Sequence, residues 1–183
     1  MSFFMSLFAR PAALRALRDA YDILGDLTPL KTNCGECCGA ACCQNDESGE
    51  NGMLLFPYEE HFYKKPIPGF DFHLVPDDTL FEGGKRLVCN GQCLRQHRPL
   101  ACRLFPLRIR LNMLEDGQHM EIIPEIDPRS WACCPLPEKG GLSAFDRDFV
   151  EAVCSVGERL VMNDDMLEAL YNEQDFIDEM RKF

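Results

Sequence analysis

The sequence contains no run of apolar residues approaching the roughly 18 that a helix needs to cross a membrane. An apolar patch at residues 3–9 is not preceded by a basic stretch, and Arg10 and Arg15 follow it. This order is not that of a secretory signal peptide, so we interpret the patch as the start of an amphipathic helix. We therefore expect a cytoplasmic protein without a membrane partner. In that reducing compartment, clustered cysteines indicate metal or redox chemistry more often than disulfides.

Signatures of several common enzyme classes are also missing. The chain has no glycine fingerprint of a dinucleotide-binding fold, no P-loop and no Ser–His–Asp signature. It lacks the C-x3-C-x2-C run of radical enzymes, because three residues separate Cys38 from Cys42. The sequence therefore indicates no specific reaction.

Acidic residues outnumber basic ones, which gives a net charge of −11 and argues against general nucleic-acid binding. Residues 83–114 are the exception, with seven basic side chains and no Asp or Glu. This basic segment also holds Cys89, Cys93 and Cys102. Positive charge and thiols are thus concentrated in the same part of the chain.

The chain of 183 residues is 46% hydrophobic, enough to build one core. Helical spacing of apolar residues predicts a helix over residues 9–25, with Pro11 in its first turn. Alternation predicts strands within 70–90 and a hairpin that turns at Asp116-Gly117. Helices are expected again over about 143–182, capped by Ser143 and then by Asn163 or Asp164. No internal repeat or long linker divides the chain.

Together these patterns predict an α+β fold in a single small domain, residues 1–183. Helices are expected at both ends, with short β-hairpins between them. An irregular cysteine-rich metal-binding centre is expected over about residues 31–136.

Cysteine is abundant: the chain has eleven, an odd number that excludes complete internal pairing. Five fall within residues 34–43, and spacings such as Cys34-x3-Cys38 and Cys89-x3-Cys93 bring thiols to one side of a turn. Thiolate is a soft ligand that suits zinc and iron–sulfur clusters. Adjacent Cys42 and Cys43 would point apart in an extended segment and so serve different metals.

Five stretches of the sequence form a further pattern: CGECCGAACC, GMLLFP, VCNGQC, RQHRPLACRLFP and CCPL. Over about residues 31–136 they resemble the bacterial and archaeal family called the zinc- or iron-chelating CxxCxxCC domain, or YkgJ type. The resemblance implies eight metal ligands: Cys34, Cys38, Cys42, Cys43, Cys89, Cys93, Cys102 and Cys134. Cys37 occupies the family's closer slot after Cys34, so the choice between Cys37 and Cys38 stays open.

Other side chains have expected roles near the thiols. A zinc ion held by four thiolates is a dianion, and its burial calls for cations or hydrogen bonds. We expect Arg98 and Arg103, which flank Cys102, to bind thiolate sulfurs or a carboxylate such as Asp127; a solvated basic face is the alternative. His61, His97, Cys37 and Cys133 are open alternatives as ligands. Cys154 is expected to pack on a helix.

The sequence thus predicts a metal-binding protein that holds zinc or an iron–sulfur cluster. Two tetrathiolate sites would use all eight cysteines, and one cluster with structural or reactive thiols is the alternative. The rival function is an iron–sulfur-dependent enzyme that transfers a methyl group or an electron, by analogy with a flagellin lysine methylase of similar cysteine pattern. A disulfide-linked secreted protein is a third reading.

Overall fold

The computed structural model of the protein describes residues 3–32, 34–44, 52–91 and 93–182. Its α-helices are α1 (Phe3–Leu24), α2 (Gly35–Cys38), α3 (Leu100–Leu104), α4 (Arg147–Leu160) and α5 (Asp164–Met180). Its strands are β1 (Gly52–Leu54), β2 (Phe72–Pro76), β3 (Lys85–Cys89), β4 (Leu107–Met113) and β5 (Met120–Ile126). Short 3-10 helices cover Ala41–Cys43, Glu59–Tyr63, Arg95–His97, Pro128–Ala132, Pro137–Lys139 and Gly141–Ala144. The fold is of mixed helix and strand, consistent with the predicted α+β class.

Two predicted helix starts are wrong. Helix α1 begins at Phe3, so Pro11 lies inside it and not in its first turn. Ser143 does not cap α4, because its hydroxyl donates to the Gly140 carbonyl at 2.7 Å. The cap is Asp146, whose carboxylate accepts from the Asp148 backbone N–H. The prediction for α5 is confirmed, since the Asn163 side chain accepts from the Met166 N–H.

The strands form two antiparallel sheets. Strands β4 and β5 make the predicted hairpin, paired from Leu107↔Ile126 to Met113↔Met120. The strands expected within residues 70–90 are β2 and β3, and β1 adds to the other side of β3. Strand β3 is therefore central in its sheet and carries Cys89 as its last residue.

The main core lies where α4 and α5 pack on the β4–β5 hairpin and α1 packs against α4. Gly157 lets α4 approach the hairpin closely, because a Cβ there would lie 2.4 Å from the Ile122 Cγ2. Helix α3 joins this core through Leu100 and Leu104, both buried. Helix α3, which carries Cys102 and Arg103, is therefore anchored in the core.

Candidate metal centre

Ten of the eleven cysteines line two adjoining cavities, although they come from separate stretches of sequence. The first chamber, of about 50 Å³, has four cysteines of its own: Cys34, Cys37, Cys38 and Cys134. The second chamber, of about 240 Å³, has two: Cys89 and Cys93. The wall between the chambers is formed by cysteines that line both: Cys42, Cys43, Cys102 and Cys133.

The loop over residues 34–44 is built from two helical turns and not from extended chain. Left-handed Gly39 and Ala40 separate α2 from the 3-10 turn that holds Cys42 and Cys43. In that turn the two sulfurs lie 3.9 Å apart. The expectation that these adjacent thiols diverge in an extended segment is therefore wrong, because the tight turn places them side by side.

The second cysteine segment docks on the first through Gly91. This residue has φ +75°, and a Cβ placed on it would lie 2.0 Å from the Cys43 carbonyl oxygen. Only glycine permits both the left-handed backbone and this approach. Gly91 therefore holds the chain between Cys89 and Cys93 against Cys43.

We expect Gly91→Ala to separate the two cysteine segments and to lower the stability of the fold and metal binding together. Gly39→Ala is the matched control, since Gly39 has φ +63° but nothing within 4 Å of its would-be Cβ. Both variants carry the left-handed cost of about 1–2 kcal/mol, and only Gly91→Ala adds the steric conflict. Chemical unfolding measures the difference, and equal losses in the two variants would contradict the docking role.

The basic side chain that reaches the thiols is Arg98. It lines both chambers, and its guanidinium acts against the rise in pKa that burial causes in the Cys93 thiol. Burial alone would lower the pKa of Arg98, but the charges of Cys43 and Cys93 raise it above the usual value. The Arg98 Nε is buried and has no protein acceptor among the described residues.

Arg103 lies elsewhere. Its guanidinium donates to the Gln96 carbonyl at 2.8 Å and the Arg98 carbonyl at 3.3 Å, and it lies 4.4 Å from the centre of the Tyr21 ring. Asp127, its other expected partner, binds Arg129 with both carboxylate oxygens. The expected bond from Arg103 to a thiolate or to Asp127 is thus replaced by a structural role between α1 and α3.

Arg95 is a site residue that the sequence did not single out. It lines the first chamber, and its guanidinium donates to the Leu27 carbonyl while its Nε finds no acceptor in the described chain. Burial and the charges of Arg103 and Arg98 lower the pKa of Arg95 to about 10. Positive charge therefore accumulates beside the first chamber, and the charges of Cys34 and Asp26 act against the fall in the Arg95 pKa. The basic, acid-free character of residues 83–114 was the available signal.

The last cysteines are held by a loop after β5. Asp127 caps the 3-10 helix Pro128–Ala132, and the Ser130 carbonyl accepts from the backbone N–H groups of Cys133 and Cys134. Arg129 extends this anchor by binding Glu173 of α5 at 2.7 Å. These contacts fix the backbone that carries Cys133 and Cys134.

Burial raises the pKa of most thiols that face the chambers, and neighbouring thiolates raise it further in Cys34, Cys102 and Cys133. The adjacent pair differs, because the Cys42 and Cys43 thiols share a hydrogen bond in which either sulfur can be the donor. This bond raises the pKa of Cys42 and lowers that of Cys43 to about 6. A cation placed among these thiols would lower their pKa, so that they would ionise more easily.

The described cysteines are all free thiols. Across residues 3–32, 34–44, 52–91 and 93–182, no three Cys, His, Asp or Glu side chains stand as a formed metal-ligand group. The donor set nevertheless fits a thiophilic metal, since soft sulfur ligands converge beside the unpaired Nε groups of Arg95 and Arg98. Metal binding would have to draw these thiols closer together.

His61, His97 and Cys154 lie outside the chambers. His61 pairs with Glu60 at 2.7 Å, and His97 stacks on Phe70. The Cys154 thiol faces the Ile122 carbonyl at 3.5 Å, in the packing position expected for it. Of the two competing residues in α2, Cys37 is exposed, whereas the Cys38 thiol turns back toward the Cys34 carbonyl at 3.7 Å.

Comparison with protein-family models, with curated proteins and with solved structures finds no match to this chain. Within the described residues, no helix combines the length and the apolar character needed to cross a membrane.

Proposed function

We propose that this protein binds a metal, either zinc or an iron–sulfur cluster, through thiolates of the two chambers. The ligands are the eight cysteines that the sequence pattern indicates: Cys34, Cys38, Cys42, Cys43, Cys89, Cys93, Cys102 and Cys134. Membership in the CxxCxxCC family and a cytoplasmic location are part of the same proposal. Free thiols persist in that reducing compartment.

The convergence of distant cysteines carries this proposal. Thiols from residues 34–43, 89–93, 102 and 133–134 meet around two small cavities, while Cys154 alone of the eleven packs elsewhere. Cysteines that served only as small core residues would be spread among the apolar clusters. Clustering them raises their pKa through mutual repulsion of the thiolates and does not improve packing. A cation would relieve that mutual repulsion, because it stabilises every thiolate around it.

The arginines support an anionic metal–thiolate centre. Arg98 acts against the rise in the Cys93 pKa, and the buried Nε groups of Arg95 and Arg98 have no acceptor among the described residues. A tetrathiolate centre supplies sulfur acceptors with the required negative charge.

Arg98→Ala is expected to weaken zinc binding by about 10–100-fold, the usual effect of removing a partner of a ligand. Arg103→Lys should leave zinc affinity unchanged and lower stability, since Arg103 bonds to carbonyl groups and the Tyr21 ring. Competition against a chelator measures the affinities. If Arg103→Lys weakens zinc binding as much as Arg98→Ala does, the assignment of Arg98, and not Arg103, to the thiol site is wrong.

The function is tested by elemental analysis and optical spectroscopy of protein purified without air. We expect stoichiometric zinc, or iron with sulfide and visible absorbance. Cys154→Ser serves as the control that keeps the metal. A folded metal-free protein that takes up neither zinc nor a reconstituted iron–sulfur cluster would overturn the proposal.

A second candidate function is the iron–sulfur-dependent enzyme, which transfers a methyl group or an electron. The volume of the second chamber favours this candidate, because a cavity of about 240 Å³ beside Arg98 offers space for an anionic substrate. Visible absorbance that dithionite bleaches reversibly would support this candidate. A colourless protein with zinc as its only metal would reject it.

A further inference from the structure

The two chambers differ in which cysteines they hold. At the far end of the first chamber lie Cys34, Cys38 and Cys134, which do not line the second. At the far end of the second lie Cys89 and Cys93, which do not line the first. The thiols therefore form two ends and a shared wall, and not one shell around one point.

Cys43 lies next to the second end. A Cβ placed on Gly91, in the segment between Cys89 and Cys93, would lie 2.0 Å from the Cys43 carbonyl oxygen and 3.7 Å from the Cys43 Cβ. Cys34, Cys38 and Cys134 thus form a first group, and Cys43 joins Cys89 and Cys93 in a second.

Cys42 connects the two groups. Its sulfur lies 3.9 Å from that of Cys43, and it lines the first chamber together with Cys34. Assigning Cys42 to the first group, and Cys43 with Cys102 of the shared wall to the second, gives each group four of the eight proposed ligands. This is the number that closes a tetrahedral structural site.

We propose that the centre holds two metal ions, one in each chamber, each bound by four thiolates. The ligands of the first ion are Cys34, Cys38, Cys42 and Cys134. The ligands of the second ion are Cys43, Cys89, Cys93 and Cys102. This division rests on the proposed metal-binding function, and it places the two ions on either side of the adjacent Cys42–Cys43 pair.

The division has a physical consequence at the shared wall. The 3-10 turn Ala41–Cys43 supplies one ligand to each ion, so occupation of either chamber orders the ligand of the other. Arg98, which lines both chambers, lies where it can compensate charge in each. Two cysteines of the chambers are left out of both ligand sets: the exposed Cys37, and Cys133 of the shared wall.

Anaerobic titration of the metal-free protein with Co²⁺ tests the division, with thiolate-to-cobalt absorbance as the readout. The parent should saturate at two equivalents. The double variant Cys34→Ser/Cys38→Ser should keep only the ion of the second chamber, and Cys89→Ser/Cys93→Ser only that of the first. Cys37→Ser, the matched control next to Cys38, should keep both. Circular dichroism before titration identifies variants that fail to fold.

Should either double variant misfold, Cys38→Ser and Cys93→Ser as single changes replace it, each expected to weaken one equivalent and spare the other. Saturation of the parent at one equivalent, with that ion lost in both double variants, would mean a single shared centre and overturn the division. No thiolate–cobalt absorbance in a folded parent that also rejects zinc and cluster reconstitution would overturn the proposed function itself.

Discussion

The Cys102→Ser variant is expected to lose most of the stabilisation that the metal ion bound by Cys102 gives the parent protein. Cys102 lines both chambers, and its helix α3 is fixed in the core by Leu100 and Leu104. The serine oxygen is a poorer ligand for a soft metal, and the anchored backbone cannot offer a substitute donor. Metal binding and folding are coupled in such sites, so affinity lost is stability lost.

The size of this effect follows from mass action. At free metal 1,000 times the dissociation constant, one bound ion adds about 4 kcal/mol to the free energy of unfolding, and we expect Cys102→Ser to lose most of that increment. Unfolding of each protein with and without metal gives the gain directly and cancels any effect of serine on the metal-free fold.

Cys34→Ser and Cys89→Ser should lower the gain in the same direction, because these cysteines lie at opposite ends of the paired chambers. Cys154→Ser should leave it unchanged, since that thiol faces the Ile122 carbonyl. Equal gains in the parent and in Cys102→Ser, or an equal loss in Cys154→Ser, would contradict the assignment of ligands.

The second large effect is expected at Glu59, whose side chain is fully buried. Its carboxylate accepts from the Phe56 N–H at 2.9 Å, the Leu100 N–H at 2.6 Å and the Tyr21 hydroxyl. Burial raises the pKa of Glu59, while these donors and the Arg103 charge act against that rise. One carboxylate thus joins α1, the 3-10 helix Glu59–Tyr63 and the start of α3.

Glu59→Ala leaves three buried donors without their acceptor. We expect the free energy of unfolding to fall by roughly 2–4 kcal/mol, from the cost of buried unsatisfied donors. Glu60→Ala is the neighbouring control, because Glu60 is partly exposed and pairs only with His61 in the described structure. That change should cost at most about 1 kcal/mol. Denaturant unfolding distinguishes the two, and similar losses would contradict the linking role of Glu59.

The sequence predicts the regular elements well where a local pattern decides them. Alternation and the Asp116-Gly117 turn are enough to place the β4–β5 hairpin. Capping is less certain, because Ser143 and Asp146 both have side chains that suit a helix start. Which of the two residues caps α4 depends on where the chain leaves the 3-10 helix Gly141–Ala144.

The pattern of cysteines also predicts which residues assemble, but not how they are arranged. The turn that brings Cys42 beside Cys43 depends on left-handed Gly39 and Ala40, which sequence spacing does not reveal. Gly91 in the VCNGQC stretch is similar, since its role arises from contact with the distant Cys43 carbonyl. These features are tertiary, and one-dimensional spacing does not contain them.

The different positions of Arg98 and Arg103 have the same origin, because the fold and not the sequence spacing sets them. Both flank Cys102 in sequence, and a basic residue on either side would compensate a thiolate equally well. In the fold, however, Arg103 points to Tyr21 and to backbone carbonyls, whereas Arg98 lines the chambers. Neighbourhood in sequence therefore predicted the pair but not the member that reaches the thiols.

X-ray absorption at the metal edge of anaerobically purified protein tests the central claim most directly, because it reports the atoms bound to the metal. The chambers offer thiols, with no His, Asp or Glu among their described lining residues. We therefore predict a shell of sulfur alone, at about 2.3 Å if the metal is zinc. A shell of nitrogen or oxygen at about 2.0–2.1 Å would place the metal elsewhere and contradict the thiolate centre.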